Sequence, residues 1–135
     1  MSTMKIFEIA GSALSAQSVR LNTVASNLAN ADAVGSDPNN VYKARMPVFQ
    51  ALSDPTTPDL ASVKVTGVVE NQAQAEKRYE PGHPLADKDG YVYAPNVNIV
   101  EEMVNMISAS RSYQGSVEVM NTAKDLALRT LALGK

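Results

Sequence analysis

Apolar residues return every seven positions near the start of the chain, at Phe7, Leu14, Leu21 and Leu28. Ala10, Gln17, Val24 and Ala31 stand three places after each of them. Such a repeat, sustained for about four heptads, predicts a helix over residues 4–31 with a coiled-coil-like seam. A second pattern with 3/4 spacing begins after Asn98. Met103, Met106, Tyr113, Val117, Met120, Ala127 and Leu131 form one stripe, with Ser110 and Lys124 as its imperfect members. Val100, Val104 and Ile107 make a second stripe beside it, and Val119, Ala123 and Leu126 a third. A helix that is apolar on several sides touches several neighbours.

The second helix has clear end signals. Asn98 is a good N-cap, Glu101 stands where a capping box would use it, and Glu102 suits the positive end of the helix dipole. Nothing stops the pattern before Gly134, whose freedom at positive φ suits a helix C-terminus, with Arg129 and Lys135 supplying positive charge there.

Between the helices the character changes. Asp32 to Asn40 is dense in turn residues and ends the first helix. The stretch from Val41 to Glu102 then carries most of the prolines and most of the charges. β-type runs occur at Val41–Leu52, Ser62–Glu70, Lys77–Glu80 and Tyr91–Tyr93, with Asp89-Gly90 as a turn before the last. Asp54 to Asp59 reads as an exposed loop. These runs predict a small antiparallel sheet or pair of hairpins that must pack on the helices to be stable. The expected fold is therefore mainly α with a small β insert. Residues 1–32 and 98–135 are long helices paired as a coiled-coil-like layer, and residues 33–97 form short antiparallel strands and loops.

Charge sharpens this picture. Lys5, Glu8 and Arg20 are the only charged residues before Asp32, and Arg111 is the only one from Met103 to Val117. Helices facing water normally carry Glu and Lys on their outer sides. Here those positions hold Ala, Ser, Thr and Asn, which suit close packing on several sides. Two helices alone leave such faces bare, so further protein is expected to cover them.

Composition excludes several functions. The 135 residues amount to one domain, and the net charge of −2 gives no basic field for nucleic acid. Cysteine is absent, which removes disulfides and thiolate metal sites. The first residues lack the basic and apolar regions of a cleaved signal, and no stretch approaches the roughly 20 apolar residues that span a bilayer.

No catalytic constellation is visible either. His83, the one histidine, lies in a Pro81-Gly-His-Pro84 turn without a cysteine or carboxylate partner set. Asp87-Lys-Asp89-Gly90 opens like a calcium loop but lacks the third ligand and the closing glutamate, so it reads as a hairpin turn. The methionines read as adaptable packing residues, not ligands. No cofactor, metal or small-molecule substrate is expected. Gly115, inside the second helix, is either loosely tolerated or lets another backbone come close.

Several segments resemble a known family. Ala25-Ser-Asn-Leu-Ala-Asn-Ala31 is similar to the hallmark of bacterial flagellar axial proteins, the rod and hook family. Val41-Tyr-Lys-Ala-Arg-Met-Pro-Val-Phe-Gln50 resembles the matching segment of its proximal-rod members. So do Glu80-Pro-Gly-His-Pro-Leu-Ala-Asp87, Gly90-Tyr-Val-Tyr-Ala-Pro-Asn-Val-Asn98 and Glu102-Met-Val-Asn-Met-Ile-Ser-Ala-Ser-Arg-Ser-Tyr-Gln114. The likeness runs nearly end to end. Gly115-Ser116 departs from the usual Ala-Asn, and the loop from Asp32 to Asn40 differs in length and composition.

The resemblance implies a structural subunit of the bacterial flagellar basal body, in the rod crossing the periplasm. It implies export through the type III apparatus without cleavage of a signal peptide. The implied partners are copies of the chain itself, other rod proteins, the basal-body base and the export apparatus. Nucleic acid, direct membrane insertion and a small-molecule substrate are not implied. The expected subunit-interface residues are Leu14, Leu21, Val24, Leu28, Asn27 and Asn30 on the first helix. Met103, Met106, Tyr113, Val117, Met120 and Leu131 are their counterparts on the second. Another flagellar axial protein, or a self-contained helical protein-binding module, is the alternative.

Overall fold

A computed structural model describes residues 3–134. Two long helices bracket two small hairpins. Helix α1 spans Thr3–Ala29 and α2 spans Ile99–Leu133. Between them lie β1 (Arg45–Asp54), β2 (Thr57–Glu70), β3 (Glu76–Tyr79) and β4 (Tyr91–Ala94). Strands β1 and β2 form one antiparallel pair, and β3 and β4 another. The expectation of long paired helices with a small antiparallel insert describes this architecture.

The helices run antiparallel. Asn27 meets Glu102 at one end, and Ile6 lies beside Val119 and Ala123 towards the other. At 100° per residue, the side of α2 turned to α1 runs through Glu102, Met106, Ala109, Tyr113, Ser116, Met120, Ala123 and Ala127. This is itself a heptad line. Its small members, Ala109 and Ala123, are buried, as are Ala10, Ala16 and Val24 of α1. Alanines are thus the most deeply buried residues of the contact, with Met106 and Met120 partly buried on the same line. Gln17 interrupts the seam, since its Oε1 is buried without a hydrogen-bond partner.

α1 also carries the insert. The β1–β2 hairpin lies along its side, where Ser12 Oγ accepts from the Val63 amide at 3.1 Å. At the far end Lys5 Nζ donates to the carboxylate of Asp54 and to Thr57 Oγ1 at 2.8 Å. The expected loop from Asp54 to Asp59 is in fact much tighter. Asp54 Oδ1 accepts from the Thr56 amide at 2.8 Å and its hydroxyl at 2.6 Å, so the chain reverses over Pro55-Thr56 and β2 begins at Thr57. The intervening irregularity moves into the strand, where Ser53 pairs Ala61 but Asp54 pairs Thr57. A second register shift pairs Val48 with Gly67 and Phe49 with Val65. Pro47 is tolerated because a two-stranded sheet has only edge strands.

The second hairpin turns through Asp87 to Gly90. Asp87 Oδ1 accepts from the amides of Asp89 (2.9 Å) and Tyr91 (2.8 Å), and these bonds hold its carboxyl below the usual carboxylate range. Gly90 sits at φ 82°, and a Cβ there would stand 3.0 Å from the Tyr79 ring. The Asp-Gly turn expected from the sequence is present, with ligation left to backbone amides. A two-bond bridge between Gly35 and Tyr93, both at 2.9 Å, ties the loop after α1 to β4.

The ends of α2 differ from expectation in two details. Asn98 caps it, accepting from Val100 and Glu101 amides, and Glu101 and Glu102 lie in its first turn as expected, Glu102 also reaching to α1. Gly134 closes the helix at φ −85°, not at positive φ, through its amide to the Thr130 carbonyl. No basic residue falls in the last turn, and Lys135 lies outside the described residues.

Candidate assembly surface

The junction of helices and insert is organised by Asn27, which is 1% exposed. Its Oδ1 accepts from Tyr42 Oη (2.8 Å) and the Arg45 amide (2.9 Å). Its Nδ2 donates to the Arg45 carbonyl (2.9 Å) and to Glu102 Oε2 (3.1 Å). Both donors and both acceptor positions of the amide are thus used. Ser26 Oγ lies 3.0 Å from Tyr42 Oη, which already donates to Asn27, so the serine is the donor of that pair. The Arg45 guanidinium lies 5.6 Å over the Tyr42 ring.

A second amide closes the base of the long hairpin. Asn96 Oδ1 accepts from the Ala44 amide at 3.0 Å, and its Nδ2 donates to the Ala73 carbonyl at 2.9 Å. The Asn71 amide donates to the Ala44 carbonyl at 2.7 Å. Asn27 and Asn96 together fix where the insert leaves α1 and where the chain rejoins α2. The orientation of the insert is set by the helix ends.

With the insert fixed, the free faces of the helical pair can be read. Leu14, Leu21 and Leu28 are partly buried, about 60–80° round from the α2-facing line of α1 and on the side away from the insert. Val24 is buried in the helix–helix seam. Asn30 is partly buried and donates to the Ser26 carbonyl at 2.8 Å, a helix-end contact. On α2, Met106 and Met120 are partly buried on the side turned to α1, and Tyr113 is at its margin. Met103, Val117 and Leu131 are exposed. The twelve residues singled out from the sequence therefore divide between the internal seam and uncovered faces.

The uncovered faces are apolar. Val100 (71% exposed), Met103, Val104 and Ile107 (55%) form one strip on α2. Leu126, Leu128, Leu131 and Leu133 are exposed on different sides of its far end. The long hairpin adds Met46, Val48, Phe49, Leu52, Val68 and Val69. So many exposed large apolar residues are unusual on a chain of this size. Among the described residues no group of three His, Cys, Asp or Glu could hold a metal. His83 serves its own turn, its Nδ1 accepting from the Leu85 amide at 3.1 Å. No described helix is long and apolar enough to cross a membrane.

The comparisons with known proteins decide the family. Residues 7–35 match the family described as flagella basal body rod protein, and residues 88–133 match the flagellar basal body rod FlgEFG protein C-terminal family. The chain is 54% identical to the flagellar basal-body rod protein FlgC of Salmonella typhimurium strain LT2, over 135 residues and the whole of both chains. It is 55% identical to FlgC of Escherichia coli O6:H1, again over both full lengths. The FlgC of Buchnera aphidicola subsp. Baizongia pistaciae is 37% identical, over 138 residues and all of each chain.

The chain belongs to the FlgC family of flagellar basal-body rod proteins. It is a structural subunit of the flagellar rod, and the family is not one of enzymes. The two matched regions fall on α1 with the loop that follows, and on β4 with α2. These are the elements that carry the seam and most of its uncovered flanks.

Sequence reasoning missed three contributors. Ala109, buried on the side of α2 turned to α1, falls in none of the three stripes, although it stands two heptads before Ala123, a member of the third. Tyr42 and Asn96 gave no local signal, because their partners are distant in sequence. The ion pair between Lys5 and Asp54 joins residues 49 positions apart and could not be read from either end.

Proposed function

We propose that the chain self-assembles through the outer faces of α1 and α2 and builds, with other rod proteins, the shaft that transmits torque across the periplasm. The observation that carries this reading is the apolar strip Val100, Met103, Val104 and Ile107, exposed on a helix whose only charge from Met103 to Val117 is Arg111. Burying such area contributes about 25 cal/mol per Å², before association costs are counted. Leu14, Leu21 and Leu28 offer a matching flank on α1. Asn27 and Val24 act within the subunit and hold the pair in the shape that is presented.

Torque transfer follows from how such contacts act together. Long helices packed between subunits slide only if many side-chain contacts shear at once, so the polymer is stiff to twisting. A subunit of this kind reaches the rod through the flagellar type III export apparatus with its N-terminus retained. It meets the basal-body base and other rod proteins there. The chain's relation to the Salmonella FlgC provides the test. Expressed in a Salmonella strain lacking its own FlgC, the chain is expected to enter basal bodies and restore swimming. Stable, exported chain that never enters basal bodies would contradict the proposal.

A further inference from the structure

The β1–β2 ladder comes apart at its root. Arg45 pairs with Glu70, and one step further the Asn71 amide still donates to the Ala44 carbonyl at 2.7 Å. There the ladder stops, because the Asn96 side chain takes its place. Its Oδ1 accepts from the Ala44 amide at 3.0 Å, and its Nδ2 donates to the Ala73 carbonyl at 2.9 Å. Beyond this wedge, the two stretches that would have continued the ladder become the walls of a cleft of about 390 Å³. Val41–Lys43 form one wall and Gln72–Ala75 the other, with Tyr93 and Asn96 between them.

Neither wall completes its backbone hydrogen bonding. The amides and carbonyls of Val41, Tyr42, Lys43, Gln72 and Gln74 have no partner among the described residues. Chain outside helix and sheet, with its donors and acceptors open, is an edge on which an extended segment can pair. The fork offers two such edges to one inserted strand.

Charge selects the occupant. Lys43 and Lys77 both line the cleft, and no carboxylate does. Neither lysine takes part in the ion pairs found among the described residues. Lys77 Nζ lies 4.0 Å over the Tyr91 ring, and the neighbouring Asp87 carboxylate is held by the amides of Asp89 and Tyr91. Two such cations at the mouth of a cleft favour an acidic guest. Each acidic residue of the chain itself lies in a helix, in a paired strand or in a turn or loop that joins them. A free, extended acidic segment therefore comes from another protein.

We propose that this fork takes an extended acidic segment of another protein as an added strand. Backbone pairing to Val41–Lys43 and Gln72–Ala75 holds it, and Lys43 and Lys77 select its charge. The site belongs to the insert and uses none of the helix faces invoked above, so it stands or falls apart from the rod reading.

The test titrates the isotope-labelled full chain with a short peptide of alternating glutamate and valine, followed by backbone amide NMR. Saturable shifts centred on residues 41–43 and 72–75 are expected, weakening as salt is added. The same peptide N-methylated along its backbone should bind at least tenfold more weakly, and so should a peptide with lysine in place of glutamate. Equal affinity for the N-methylated peptide would mean charge attraction without strand pairing and would overturn the proposal. Equal affinity for the two charge types, displacement of the peptide by an equal concentration of inorganic phosphate, or no saturable shifts at the fork would overturn it too. These comparisons use the unaltered chain. The double variant Lys43→Glu, Lys77→Glu should keep the parent's circular dichroism and lose at least tenfold in affinity for the acidic peptide.

Discussion

Asn27 and Glu102 are joined by a 3.1 Å hydrogen bond, amide to carboxylate, across 75 positions of sequence. The same amide holds the Arg45 backbone through both its N–H and its C=O. One side chain therefore locks the end of α1 to the start of α2 and to the root of the long hairpin. The faces presented for assembly depend on that lock.

Asn27→Asp is expected to destabilise the chain by about 3 kcal/mol, because a carboxylate cannot donate and is buried opposite Glu102. The buried Asp would have a raised pKa in the folded state. The deficit should therefore grow as pH rises above the ordinary Asp value and shrink towards pH 4. Urea midpoints at pH 4.5 and pH 8 measure this, and an equal deficit at both would count against the lock.

Gln17→Leu should stabilise the chain by roughly 1 kcal/mol, since it removes a buried unpaired oxygen from the seam. Thermal unfolding checks this. A fall in midpoint would mean that the amide is satisfied in a way the packing does not show.

Lys5 and Asp54 give an acid-sensitive clamp between α1 and the hairpin tip. The Lys5 ammonium, with help from Thr56, holds the Asp54 carboxyl well below its ordinary 3.8. A depressed folded pKa contributes stability that is present above the unfolded value and is lost as pH falls through the folded one. Asp54→Asn should therefore be less stable than the parent at pH 7, with the gap closing below about pH 4. Paired denaturation curves at pH 7 and pH 2.5 decide it.

Gly90→Ala should cost about 2 kcal/mol, from positive φ and from crowding against Tyr79 and Pro81. Chemical denaturation measures the loss. Gly115→Ala, in an open helix interior, should instead gain about 1 kcal/mol in the isolated chain.

Much of the fold was legible because its signals are local. The first helix, the Asn98 cap and the Asp89-Gly90 turn are each written within a few residues, and all three are present, although Leu14, Leu21 and Leu28 of the heptad stripe lie beside the α2-facing line and not on it. The loop expected over Asp54 to Asp59 failed for a physical reason. Asp54 satisfies the turn with its own side chain, so proline and threonine residues that look like loop become strand. The face of α2 was harder to read. Met103 and Val117 are better hydrophobes than Ala109 and Ser116, yet close helix approach selects the small residues. Met103 and Val117 remain on the outside, while Met106 and Met120 flank the alanines at the contact.

The most direct measurement compares Ile107→Asp with Gln74→Asp, two added charges at exposed positions, one on the apolar strip of α2 and one on the insert. Each is expressed in a Salmonella strain lacking its own FlgC, and basal bodies are isolated and probed for the chain. Both monomers should fold like the parent by circular dichroism. Ile107→Asp should be missing from basal bodies and Gln74→Asp present. Incorporation of Ile107→Asp at the parental level would contradict the account, because the strip would then not be an assembly surface.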